Sequence, residues 1–126
     1  MATHQDIEAY LGASGYARQE VAERTWLLTQ GDSADRIAVR LEQDLVLFRM
    51  KVLDLERVRD RPGLFQALLQ LNAAEMMHGA YGVADGAIVL TAAISLASLD
   101  LQELRHIVEE FNLSLHKHRD LLAQHC

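Results

Sequence analysis

Residues 36–52 contain two runs of strict alternation. In "RIAVRL", Ile37, Val39 and Leu41 point one way and Arg36, Ala38 and Arg40 the other. After "EQD", the run "LVLFRMKVLDL" sets Val46, Phe48, Met50 and Val52 against Leu45, Leu47, Arg49 and Lys51. Successive strand side chains point to opposite faces, so a period of two with charge on one side predicts half-buried antiparallel strands. A slip of one residue would turn a whole apolar set out to water, which constrains the register strongly. Residues 25–30, "TWLLTQ", are also β-prone and precede the turn-forming "GDSAD" at 31–35, giving a three-stranded meander.

A second pair of strands is signalled within "LNAAEMMHGAYGVADGAIVL", residues 71–90. Asp85-Gly86 between alternating apolar residues predicts a type I′ hairpin, because both central residues of that turn need positive φ. The register then pairs Val83 with Ile88 and Tyr81 with Leu90, puts these four side chains on one face, and leaves Val89 on the other. The glycines of this stretch follow a helix and precede a strand. That is the reverse of a phosphate loop, which needs free N–H groups at a helix N-terminus.

Helical signals separate and flank these strands. Thr3 and Asp6 have capping spacing before a stripe of Ile7, Tyr10 and Leu11, with Gly12 and Gly15 as the stop. Asp60 and Pro62 open a helix carrying Phe65, Leu68, Leu69, Asn72 and Met76, with His78 near its last turn and Gly79 as its stop. Asp100 and Glu103 have capping spacing again. Leu101, Leu104, Val108, Phe111, Leu115, His118 and Leu122 follow at steps of three and four, a seven-residue repeat along a helix of about six turns. The order α-β-β-β-α-β-β-α predicts an α+β fold with a five-stranded, mainly antiparallel sheet and helices on one face. The expected core is Trp26, Val39, Phe48, Met50, Leu68, Met76, Tyr81, Ile88, Leu90, Leu104, Val108 and Phe111.

A chain of 126 residues fits one domain, residues 1–126, with room for a real core. Its net charge of −6 argues against a nucleic-acid partner. The cluster Arg49, Lys51, Arg57, Arg59 and Arg61 is diluted by Asp54, Glu56 and Asp60. The one cysteine, Cys126, permits no internal disulfide. The N-terminal residues lack the pattern of a signal peptide, and no apolar run approaches a membrane span, so a cytoplasmic location is expected. His116 and His118 diverge around a helix, and no zinc-type spacing occurs, so neither a metal nor another cofactor is expected. Glu75 is the carboxylate most suited to half-burial, but no acid or base partner for it is evident in sequence, and no enzyme activity is expected.

What remains is surface for a partner. Leu27, Ala38, Leu45, Leu47 and Val89 fall on the sheet face opposite the helices, beside Arg40, Arg49 and Lys51. Apolar patches of this kind mark protein contacts. Leu27, Leu45, Leu47, Arg49, Met76 and Met77 are therefore the candidate partner-binding residues. Phe111, Leu115, His118 and Leu122 form a seam facing either the sheet or a second copy. Within it, His118 is a core histidine, a polar residue that sets register in a dimer, or a pH-sensitive contact.

The segments "FQALLQLNAAEMM" and "TAAISLASLDLQELRHIVEEFN" resemble the YjfI-like family of uncharacterised bacterial proteins over roughly residues 45–125. The shared elements are a helix closing on paired methionines, a hairpin, an "A-[IL]-S-L" strand end and a long helix. Element order and size also resemble the fold of type III secretion chaperones and their YbjN-like relatives. "HGAYGVADG" is richer in glycine than that family pattern. The resemblance implies a cytoplasmic homodimer that binds a segment of another protein, with no catalytic residues to carry over. It also implies a partner of the phage-shock-protein-A type, linked to membrane stress. The alternative is a small-ligand or metal-sensing regulator built on His118 and Glu75.

Overall fold

The computed structural model describes residues 4–29 and 35–126. Thr3, and with it the first capping pair, lies outside the described residues, as do Gln30 and residues 31–34 of the turn before the first alternating run. The elements are α1 (His4–Ala13), β1 (Ala17–Ala22), β2 (Thr25–Thr29), β3 (Arg36–Glu42), β4 (Leu45–Asp54), α2 (Arg61–Ala74), β5 (Gly79–Ala84), β6 (Ala87–Ser95), α3 (Leu101–Lys117) and α4 (Arg119–Gln124). Two short 3₁₀ turns, Leu55–Arg57 and Leu96–Ser98, follow β4 and β6.

The sheet has six strands in the order β1-β2-β3-β4-β6-β5, and every neighbouring pair is antiparallel. Five strands were expected, and the additional one is β1, "ARQEVA". All its residues are exposed, so it carries no apolar alternation. It is held by backbone pairing to β2 across a two-residue turn whose second residue, Arg24, has φ +61°.

The alternating runs set their apolar sides on one common face, with Val39 opposite Phe48 and Leu41 opposite Val46. The second hairpin also forms as expected: Asp85 and Gly86 have φ of +53° and +73°, Val83 pairs with Ile88, and Tyr81 with Leu90. Ile88, Leu90 and Tyr81 are buried, but Val83 is 55% exposed, on an open groove between β5 and α2. β6 returns through the middle of the sheet beside β4, which joins the meander to the hairpin.

One hydrophobic cluster fills the space between the helices and one sheet face. It takes Ile7 and Leu11 from α1, Leu64 and Leu68 from α2, and Leu104, Ile107, Val108 and Phe111 from α3, against Trp26, Val39, Phe48, Met50 and Leu90. Burial of Trp26 or Phe111 alone contributes about 2–3 kcal/mol. Of the expected core only Met76 is not fully buried; it packs at the rim.

Local signals explain the helix starts. Asp60 accepts a hydrogen bond from the Gly63 N–H (3.1 Å), with Pro62 in the first turn, and Asp100 accepts from the Glu103 N–H (2.7 Å). The ends differ from expectation. Gly12 is helical, and α1 stops before Gly15, whose φ is +84°. α2 stops at Ala74, ahead of Met76, His78 and Gly79. Gly79 instead begins β5, where a Cβ would stand 2.8 Å from Cε1 of Phe111 and 3.2 Å from the carbonyl oxygen of Thr91. Its role is close approach of α3 to the sheet.

The six-turn helix is two helices. α3 ends at Lys117, His118 has φ −98° and ψ 9°, and α4 resumes at Arg119. The apolar repeat runs on through this break, so sequence periodicity did not mark it.

Candidate partner-binding surface

All the helices pack on one side of the sheet, and the other side carries no helix among the described residues. Alternation delivers its side chains in cross-strand rows. One row runs Thr25, Arg40, Leu47, Ala93; the next runs Leu27, Ala38, Arg49, Thr91, Ala80. The small residues leave a trough of about 600 Å³, floored by Ala38, Ala80 and Ala93 and bordered by Leu47, Arg40 and Arg49. Leu45, at the mouth of β4, is 48% exposed. Val89 shares this face by register but is buried, with Lys51 and Gly82 as its cross-strand neighbours.

Charge is distributed unevenly here. Arg36, Arg40, Arg49 and Lys51 project from this face of β3 and β4, in a chain whose net charge is −6. The acidic residues lie at strand ends and the turn: Arg40 is 3.6 Å from Glu42, Arg49 is 3.6 Å from Asp85, and Lys51 is 2.7 Å from Asp54. Each of these pairs is solvent-exposed, so each contributes about 0–1 kcal/mol and exchanges readily.

Of the six candidate partner-binding residues, the structure brings Leu27, Leu45, Leu47 and Arg49 onto this bare face. Met76 and Met77 lie elsewhere, in the link between α2 and β5 beside α3. There they line a cleft of about 440 Å³ with His78, His106 and Leu113. Met77 is 86% exposed, whereas Met76 is half-buried, with the Ser114 hydroxyl 3.6 Å from its sulfur.

The link itself is held by Glu110 of α3. Its carboxylate accepts from the backbone N–H groups of Met77 (3.0 Å), His78 (2.9 Å) and Gly79 (3.2 Å), and Nδ1 of His78 is 3.1 Å away. Burial would raise the Glu110 carboxyl, but these donors together outweigh it and hold it below the usual carboxylate range. His78 was expected at a helix C-terminus. It lies instead between Glu110 and Glu103, the latter 3.4 Å from Nε2.

Phe111, His118 and Leu122 of the predicted seam are buried in the chain's own core, and Leu115 packs against it. A second copy has no access to the buried three. His118 closes the corner between α3, α4, β5 and the end of α2: Nδ1 is 2.7 Å from the Tyr81 hydroxyl and Nε2 is 3.1 Å from Glu75. A neutral ring satisfies both contacts, donating from Nε2–H to the carboxylate and accepting the Tyr81 O–H at Nδ1. Lys117 also reaches Glu75 (2.7 Å), and this contact, then that of His118, lowers the Glu75 carboxyl. Burial, with Glu75 nearby, pushes the Tyr81 phenol up to about 12. Glu75 and His118 are thus brought together, but as a hydrogen-bonded corner. Among the described residues no group of three or more His, Cys, Asp or Glu is placed to hold a metal ion.

Sequence reasoning missed what seals the β5 edge. The Asn72 side chain on α2 donates to the Tyr81 carbonyl (3.0 Å) and accepts from the Tyr81 N–H (2.7 Å), as a neighbouring strand would. With Glu110 holding Gly79, two helices occupy outward-facing backbone groups of that edge strand. A polar amide among apolar helical positions was the one available signal. Among the described residues, no helix is long and apolar enough to cross a membrane.

Among curated proteins, none matches the sequence. Solved structures are similar in fold. A chain of the ExsC–ExsE complex aligns with a TM-score of 0.74 at 18% identity, covering 97% of this chain and 97% of its own length. A chain of the heterodimeric ExoU–SpcU complex from the type III secretion system of Pseudomonas aeruginosa gives 0.72 at 18% identity, over 92% and 97%. YbjN from E. coli gives 0.69 at 14% identity, over 94% and 92%. The six-stranded sheet backed by helices is therefore that of the type III secretion chaperones, and the CesT_Tir_1 family model matches residues 1–126 from end to end: the chain belongs to the CesT_Tir_1 family.

Proposed function

We propose that this protein is a non-enzymatic, chaperone-like module that holds an extended segment of a partner protein in the trough on the bare sheet face. The observation that carries this reading is the trough itself: small residues on four strands, framed by Leu47 and two arginines, with no helix over them. Such a surface offers an extended segment shape, apolar area and two cations. Two of the fold neighbours are structures of complexes between two proteins, which supports the same reading.

The working unit proposed is a cytoplasmic homodimer. Its contact is placed at the apolar groove between α2 and β5, where Leu69 is 67% exposed beside Val83 and Phe65. Leu69→Asp should then yield monomers by light scattering, and an unchanged mass rules this contact out. A YjfI-like identity, and with it a phage-shock-protein-A-type partner, is the specific assignment proposed on the pattern of residues 45–125.

The function is tested by placing a photo-crosslinking amino acid at Leu47 or, as a control, at exposed Arg119 in the native host. A discrete adduct from position 47 alone is expected. Equal labelling from both positions, or none from 47, overturns the proposal.

A further inference from the structure

We propose that the segment bound on the bare face is acidic, with two carboxylates at alternate positions of an extended chain that engage Arg40 and Arg49. The inference rests on the partner-binding reading above and adds the chemistry of the partner.

Arg40 lies opposite Leu47, and Arg49 opposite Ala38, so the two arginines occupy diagonal positions on adjacent strands. Diagonal cross-strand positions stand about 7–8 Å apart, and side chains two apart on an extended chain stand about 6.6 Å apart. A strand laid across β3 and β4 therefore presents alternate side chains at the spacing of the two arginine positions, within reach of both flexible side chains. Each arginine now faces an exposed carboxylate 3.6 Å away, Glu42 for Arg40 and Asp85 for Arg49. These are weak pairs that a partner carboxylate with bidentate geometry displaces. Apolar residues flanking the carboxylates then meet Leu47, Ala38 and Ala93 on the floor. A basic segment would meet Arg36, Arg40, Arg49 and Lys51 together. A second copy of this chain would bring the same four cations against themselves in a two-fold contact.

The test is fluorescence anisotropy with three labelled 15-residue peptides that share leucines at the same sites and differ at two alternate positions: glutamate, glutamine or lysine. The glutamate peptide should bind at least about tenfold tighter than the glutamine peptide, with the advantage shrinking as salt screens the charges. In Arg40→Glu/Arg49→Glu, the preference should invert toward lysine. Ala93→Trp, which fills the trough, should abolish binding. Circular dichroism confirms that each variant is folded.

Three results would overturn the proposal differently. If all three peptides bind equally and Ala93→Trp abolishes them all, the acid preference is wrong and the trough reading stands. If none binds, or if Ala93→Trp changes nothing, the trough is not the site and the proposed function falls with it. If Ala93→Trp converts a dimer to a monomer, the occupant is a second copy.

Discussion

The two faces of the sheet are made by the same strands and the same alternation, yet they have different fates. The inner face carries Trp26, Val39, Phe48, Met50 and Leu90, and the helices close over it. The outer face carries alanine, threonine, leucine and arginine, and remains open. Large side chains on the first face require a cover. Small ones on the second leave a hollow that an extended chain can fill without any part of the fold moving. Stability therefore concentrates on one side of the strands and availability on the other.

The contrast is broken most severely from the inner side. Trp26→Ala should cost about 3–5 kcal/mol, read as a fall in the urea midpoint. Gly79→Val should cost about 1–3 kcal/mol, because Phe111 and the Thr91 backbone leave no room for a side chain; no change would mean α3 does not approach β5 as described. Asn72→Leu should cost about 1–2 kcal/mol by leaving the Tyr81 backbone groups without their partner. It also opens the β5 edge, so concentration-dependent association by light scattering is expected. On the outer face, Leu47→Asp should change the stability by less than about 0.5 kcal/mol, read from the urea midpoint, while removing partner capture. A large loss of stability there would mean that the two faces are not separable.

Titration sharpens the same division. The Glu110 carboxyl is held below its unfolded value, so the stability it adds is present at neutral pH and lost as pH falls through the ordinary carboxylate range to the depressed value. Glu110→Gln should flatten that acid limb. Tyr81 shifts the other way: the folded state retains its proton up to about 12, so stability is full below the unfolded value and declines as pH rises from about 10 toward 12. Tyr81→Phe should remove this alkaline decline.

Legibility in the sequence followed the range of the interaction. The Asp85–Gly86 turn was readable because two adjacent residues must take positive φ, and the register of β3 and β4 because a slip would expose their apolar sets. β1 was not readable, since backbone pairing holds it and no side-chain pattern records that. The break at His118 was hidden by an apolar repeat that continues across it, with the ring turned inward to Tyr81 and Glu75. Met76 and Met77 were grouped with the sheet leucines by composition, but α2 ends early and leaves them beside α3.

By itself the sequence determined which side chains share a face of each strand, where turns fall and where helices begin, because these depend on alternation, φ and caps within a few residues. Tertiary structure decided which strands are neighbours, why Gly79 must be glycine, how Asn72 and Glu110 close one sheet edge, and that Arg40 and Arg49 border a floor of alanines. Those outcomes depend on groups brought together from distant positions, and only packing of the whole chain sets their distances.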